Sequence, residues 1–182
     1  MNLQDFISKS IAEASAQVFS TMLGVELGES EISIENGMPD GNHGIMSFIG
    51  LAGSCAGQTG SWAGTGCLTC SPELACRICS LMLMTETAAV NEDVLDAVAE
   101  LTNMIVGSVK TELEQQLGPL GLSIPTVVFG RNFHTRSAGH AEWIVVKFRV
   151  DNEPLVVRMF LAPSEKVHVA PHVAPQACTI NL

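Results

Sequence analysis

The strongest constraint on the fold is a long helical repeat of apolar residues that begins after Asn91 and ends at the GPLG segment, residues 118–121. Its apolar members are spaced three or four residues apart and would be buried, as in Val94, Val98, Leu101, Ile105 and Val109. Asn91 can cap the first turn, and the acid at Asp93 suits the positive end of a helix dipole. The pattern predicts the longest helix of the chain, ending near Leu117.

Two further helices are predicted before this one. Apolar residues at helical spacing extend from about residue 3 to residue 23, and Gly24 can end that helix as a C-terminal cap. Ser71 followed by Pro72 is a strong start for a second helix, because serine caps the free amides and proline suits the first helical position. This shorter helix should extend to about Met84.

The remaining elements read as strands. Asp151-Asn152 is expected to form a two-residue hairpin turn, and Lys147 and Arg149 alternate with apolar neighbours, so that one face is wet and the other buried. A tight turn is also expected at PDGN, residues 39–42. The fold class is α+β, an antiparallel sheet packed against two long helices and a shorter one. The predicted strands are EISIEN, GIMSFIGLAG, IPTVVFGRN, AEWIVVKFRV and EPLVVRMFL.

A chain of 182 residues is long enough for one well-filled core. We therefore expect a single domain over residues 1–164. The prolines in the repeat HVAPHVAP forbid helix and discourage a central strand, so residues 165–182 are expected to form an extended tail.

Charge and hydropathy exclude several classes of protein. The formal net charge of -10 argues against a nucleic-acid partner, which requires a basic surface. The amino terminus does not resemble a secretory signal, and no apolar run approaches the ~18 residues of a membrane helix. We expect a cytoplasmic protein with no membrane contact, in which the six cysteines stay reduced.

One stripe of the long helix is polar without an obvious structural reason. Asp96, Glu100, Asn103 and Gly107 fall within about 60° of rotation, away from the apolar side. Asparagine is a mediocre helix former, and glycine costs a helix ~1 kcal/mol relative to alanine. The missing side chain of Gly107 would leave a flat surface on which another backbone can come close.

This stripe resembles the signature of the CheC/CheX phosphatases of bacterial chemotaxis, Asp/Ser-x3-Glu-x2-Asn-x21-Pro. Asp96, Glu100, Asn103 and Pro125 stand at those intervals. The wider layout over residues 1–162 is also similar to CheX, with a leading helix, a hairpin, a Ser-Pro-Glu helix, the motif helix and terminal strands. The resemblance implies the CheC-like fold.

The resemblance also implies an activity in two-component signalling, the hydrolysis of the aspartyl phosphate of a CheY-type response regulator. Asn103 would orient the attacking water, and Glu100 would pair with the regulator's active-site lysine. Asp96 and Gly107 would contact the partner, and Pro125 would shape the turn into the next strand. Mg²⁺ would be supplied by the regulator, so the chain needs no metal or cofactor of its own.

Two details of the family pattern concern the number of sites per chain and the assembly of the protein. A second copy of the signature is expected on the first helix in two-site members, but here Glu13 is followed three residues later by Ala16, which predicts one site per chain. CheX-like proteins commonly form homodimers through sheet edges, and the C-terminal hairpin is one candidate edge.

Other signals favour different functions. Cys67-x2-Cys70 and Cys76-x2-Cys79 permit a thiolate metal site, but the pairs are too close together for a familiar zinc ribbon, and buried free cysteines are common. The glycine-rich stretch lacks the lysine of a phosphate-binding loop. LACRICSLMLM is expected to be core, and Pro171 prevents a helix from aligning His168 with His172.

A non-catalytic regulator-binding or flagellar-switch module of the same fold is the main alternative.

Overall fold

A computed structural model describes residues 2–37, 41–54, 61–133 and 142–164. The first helix ends in a π-helical turn, Phe19–Leu23. The predicted tail, the glycine-rich residues 55–60 and the first half of the PDGN turn lie outside this range. The elements in chain order are α1 Leu3–Val18, β1 Glu31–Asn36, β2 Gly41–Ser54, β3 Ser61–Cys70, α2 Pro72–Leu83, α3 Glu92–Leu117, β4 Leu120–Leu122, β5 Thr126–Phe133, β6 Glu142–Val150 and β7 Glu153–Ser164.

The helices begin and end at the predicted residues. The Ser71 hydroxyl accepts a hydrogen bond from the Leu74 amide at 3.1 Å, and the Asn91 side chain accepts one from the Val94 amide at 3.0 Å. Gly24 has φ +64°, a left-handed conformation that ends the first helix with its π-helical turn. Side-chain caps at these positions satisfy amides that have no partner within the helix.

All seven strands form one antiparallel sheet in the order β1-β6-β7-β3-β2-β4, and β5 also pairs with β2, on the stretch next to β4. The predicted hairpin between β6 and β7 is confirmed, because Asp151 and Asn152 both have positive φ, 46° and 72°, as a two-residue turn requires. Together with the three helices this is the predicted α+β, CheC-like class.

The strand order corrects the expectation that the C-terminal hairpin offers a free edge. β6 lies between β1 and β7, and β7 lies between β6 and β3, so the backbone groups of both strands are already paired. Among the described strands, the ends of the sheet are β1 on one side and β4 with β5 on the other. The short β4 was not predicted, since it is a three-residue strand directly after a helix-breaking segment.

The two faces of the sheet differ. The helices cover one face, where residues from all three helices and from β2, β3, β4, β6 and β7 form the main core. The other face carries a smaller buried cluster of Met46, Cys67, Trp143 and Val145. The alternation in β6 therefore differs from the prediction: its outer face is wet at Arg149 but dry at Trp143, which is fully buried.

A glycine sets the distance between the long helix and the sheet. A Cβ atom on Gly66 of β3 would lie 2.7 Å from the Cγ2 atom of Val106 on α3, closer than carbon atoms can approach. The predicted explanation of the glycine-rich stretch, glycines in tight strands, holds for this residue. The missing side chain of Gly66 therefore lets α3 lie close to the sheet at Val106.

Candidate active site on the long helix

The buried side of α3 leaves the predicted stripe facing outward. Nine residues of the helix are buried, and they include all five residues of the predicted apolar side. Thr102, next to the stripe, is also fully buried, and its hydroxyl donates to the Val98 carbonyl at 2.7 Å. The hydroxyl of Thr102 is therefore hydrogen-bonded within the helix and is not available to a partner. The buried residues of α3 are Val94, Ala97, Val98, Leu101, Thr102, Ile105, Val106, Val109 and Leu113.

Asp96, Glu100 and Asn103 are exposed, as predicted. Their side chains make no hydrogen bond or ion pair with any residue in the described part of the chain. The acids farther along the same helix differ: Glu112 accepts from the Ser10 hydroxyl, and Glu114 accepts from Lys110 Nζ at 2.8 Å and from the Leu120 amide at 2.9 Å. The polar groups of the stripe are therefore free to bind something outside the chain.

The stripe stays acidic because the basic residue of α3 pairs with Glu114 and not with the stripe. Lys110 is the basic residue of α3, and it is already paired with Glu114 one turn away. That hydrogen bond, with the one from the Leu120 amide, holds the pKa of the Glu114 carboxyl below its usual range. Neither group neutralises the carboxylates of Asp96 and Glu100, so this end of the helix attracts cations.

A cavity of about 300 Å³ opens beside the stripe. It lies between the end of α2 and the first half of α3, with an apolar wall from α2 and an acidic wall from α3. The lining residues are Met82, Leu83, Asp93, Asp96, Ala97 and Glu100.

The apolar wall of this cavity was missed by the sequence analysis, which assigned LACRICSLMLM to the core. Leu74, Ala75, Ile78 and Cys79 do join the core, but Leu83 and Met84 are 54% and 95% exposed. Helical spacing identified the buried side of α2 correctly. It did not show that the last turn is exposed beside the acids of α3, and Leu83 and Met84 carried no polar signal.

Gly107 and Pro125 lie at the other end of the stripe. Gly107 is half-buried, and a Cβ atom there would lie 3.9 Å from Leu122 Cδ1 of β4, an ordinary contact distance. Pro125 is half-buried and lies between β4 and β5, and its role in shaping this turn stays a prediction. The preceding Ser123 holds this turn against β2: its amide donates to the Gly50 carbonyl, and its hydroxyl accepts from the Gly50 amide, both at 2.9 Å.

The geometry does not support the thiolate metal site that the cysteine spacing permits. Cys70 belongs to the core beneath the helices and Cys67 to the cluster on the opposite face of the sheet, so their sulfur atoms point apart. Burial raises the pKa of the Cys67 thiol to about 11 and that of Cys70 to about 12, which keeps them protonated. Within the described ranges, no three His, Cys, Asp or Glu side chains come together as metal ligands. On α1, Glu13 and Ala16 are both exposed.

Solved structures share this architecture. CheX from Vibrio vulnificus superimposes with a TM-score of 0.69 at 23% identity, covering 86% of this chain and 99% of that one. CheX of Borrelia burgdorferi, solved with CheY, BeF₃ and Mg²⁺, gives 0.67 at 21% identity over 84% and 96%. FliM from H. pylori, in a complex with SpeE, gives 0.59 at 13% identity over 85% and 83%. These likenesses define a CheC-like fold.

The sequence itself identifies the family. The profile described as "Chemotaxis phosphatase CheX" matches residues 52–149, more than half of the chain and the whole of the motif helix. The chain belongs to the CheX family of chemotaxis phosphatases. A comparison with curated proteins gave no match. No described helix is long and apolar enough to cross a membrane.

Proposed function

We propose that this chain hydrolyses the aspartyl phosphate of a CheY-type response regulator. The oxygen of a water molecule forms a new bond to phosphorus, and the bond between phosphorus and the aspartyl oxygen breaks. The electron pair leaves with the aspartate carboxylate, and both protons of the water remain on the released phosphate as H₂PO₄⁻. The single observation that carries the proposal is the exposed pair Glu100 and Asn103, one turn apart on a packed helix and without partners in the described chain.

Asn103 has the chemistry required of the water-positioning group. Its amide offers a carbonyl acceptor and two N–H donors, so it can hold a water and a phosphoryl oxygen together. It is also neutral, and a carboxylate at the same place would repel the phosphoryl group. Phosphoryl transfer requires a protein mainly to position the reactants and to stabilise charge. One amide on a rigid helix is therefore sufficient to position the water.

Glu100 would pair with the lysine beside the regulator's phosphoryl group, which holds that lysine and the helix in register. Asp96, one turn earlier on the same side, would contact the rim of the partner. These carboxylates stand along one helix and do not converge as the octahedral oxygen ligands that Mg²⁺ requires. Mg²⁺ is accordingly assigned to the regulator, and the protein would act in the cytoplasm with that regulator.

The experiment measures phosphate release from phosphorylated CheY-type receiver domains of the same organism. Asn103→Ala should lower kcat by ~10², as loss of a positioning group does. Gln115→Ala is the matched control, because it removes an exposed amide from the same helix farther from Glu100. Alanine is the better helix former in both cases, so lost activity would not reflect a lost helix. A wild-type rate no higher than the receiver's own decay would refute the proposal.

The second candidate is a non-catalytic module of the same fold that binds a regulator or a flagellar switch. The structural likeness to FliM favours it. In that case the wild type binds a receiver domain carrying beryllofluoride and Mg²⁺, but it adds nothing to the rate of phosphate loss.

A further inference from the structure

The end of α2 forms an apolar ledge, which we define as Met82, Leu83 and Met84. It borders the cavity of about 300 Å³ beside the stripe. In this cavity Met82 and Leu83 face Asp93, Asp96 and Glu100. Exposed large apolar side chains are common singly, but here Leu83 lines the cavity and the exposed Met84 follows it directly in the chain. The ledge and the carboxylates of Asp93, Asp96 and Glu100 form the two walls of a single cleft, so a partner that reaches Glu100 also meets the ledge.

Met84 is an unusual residue for its position. It is the C-cap of α2 with φ 52° and ψ 34°, a left-handed conformation that glycine normally supplies at helix ends. A side chain in this conformation is less favourable than glycine, and at 95% exposure it gains almost no burial in return. The fold alone thus gives no reason for methionine at residue 84, whereas contact with a partner does.

The acidic wall indicates what the cleft accepts. Asp93, Asp96 and Glu100 are exposed, and the six lining residues include no lysine or arginine. An acidic or purely apolar occupant would leave these carboxylates repelled or dehydrated without compensation. A lysine or arginine side chain satisfies both walls, because its methylene stem packs on apolar surface while its cation faces the acids.

We propose that this cleft docks the phosphorylated receiver domain beside its reaction centre, by taking one of its basic side chains between the ledge and Asp93. This inference rests on the proposed function and adds to it. The contact is separate from the one proposed for Glu100 and Asn103, since Asp93 lies two turns before Glu100. It supplies affinity and selects among receiver domains, and it leaves the chemical step unchanged.

The ledge is tested by Leu83→Ser and Met84→Ser, with Met22→Ser as the control. Leu83 and Met22 are 54% and 50% exposed, so both substitutions remove a similar apolar surface from solvent-facing positions, but Met22 lies outside the cleft. Each ledge variant should raise KM for the phosphorylated receiver about fivefold, as expected for losing part of a buried apolar contact, with kcat unchanged. Met22→Ser should leave both constants unchanged. Circular dichroism confirms that each variant is folded.

The acidic wall has a closer control. Asp93 and Glu92 are exposed neighbours in the first turn of α3 and affect the helix dipole equally, but Asp93 lines the cleft and Glu92 does not. Asp93→Asn should raise KM about two- to fivefold, an effect that shrinks at high salt, and Glu92→Gln should not. Equal effects of the two substitutions would overturn the role of the acidic wall.

The outcomes separate this inference from the proposed function. An active wild type whose KM is unmoved by Leu83→Ser and Met84→Ser refutes the ledge and leaves the hydrolase proposal intact. A wild type that hydrolyses no receiver refutes the hydrolase proposal. The ledge is then judged by affinity for a receiver domain carrying beryllofluoride and Mg²⁺: weaker binding of the ledge variants supports it, and unchanged binding refutes it.

Discussion

Gly107→Ala should make the protein more stable while weakening its engagement with the regulator. Glycine in the interior of a helix is less favourable than alanine by ~1 kcal/mol, and Gly107 stands in the third quarter of the 26-residue α3. The new Cβ atom would lie 3.9 Å from Leu122 Cδ1, so the methyl group fits without displacing this chain's own atoms. The full gain in helix propensity should therefore be realised.

The magnitude follows from these two facts. We expect the free energy of unfolding to rise by about 1 kcal/mol, which for a domain of this size raises Tm by about 2–4 °C. If Gly107 also provides the flat surface on which the regulator's backbone approaches, the added methyl group should raise KM several-fold with kcat unchanged. Thermal denaturation and steady-state phosphate release measure the two effects separately.

Gly66→Ala is the control, because it should change the stability in the opposite direction. Its Cβ atom would meet Val106 Cγ2 at 2.7 Å between α3 and the sheet, so overpacking should destabilise the fold by about 1–3 kcal/mol. A lower Tm in Gly107→Ala would refute the reasoning about space beside the helix. A higher Tm with unchanged KM would refute the partner role of Gly107 and keep the stability argument.

The remaining predictions concern the outer face, the site and assembly. Arg158 is 7% exposed and lies 3.8 Å from Glu35, and its Nε and Nη1 atoms have no hydrogen-bond partner among the described residues, so Arg158→Met should leave the stability in urea equal or higher. Burial alone would raise the pKa of Glu35, but the hydrogen bond from Lys147 and the positive charges of Arg158 and Lys147 bring it below its usual 4.5. The stabilisation from this carboxylate is thus present above that pH and is lost as the pH falls through the lower folded value; Glu35→Gln should flatten this part of the acid-unfolding curve. Glu100→Ala should raise KM and lower kcat together; unchanged turnover would remove its pairing role. We predict a homodimer paired along β1, with Ile34→Lys giving monomers in sedimentation velocity.

The sequence was sufficient for the elements because their signals are local. Caps at Ser71 and Asn91, the Asp151-Asn152 turn and apolar periodicity each act within a few residues, and each predicted helix and strand was found. Strands β3 and β4 were not among the predicted strands. The exposed placement of Asp96, Glu100 and Asn103 followed from the same periodicity, since an α-helix fixes which side chains share a side.

By itself, then, the sequence determined most of the secondary structure, the buried side of the long helix and the stripe opposite it. Tertiary structure alone decided that the C-terminal hairpin lies inside the sheet, that Trp143 is buried on the face without helices, and that the last turn of α2 stands beside the acids of α3. The physical reason is that strand order and helix placement depend on contacts between residues far apart in the chain. Those contacts are decided by the packing of whole faces, such as α3 resting on Gly66, and no local pattern encodes them.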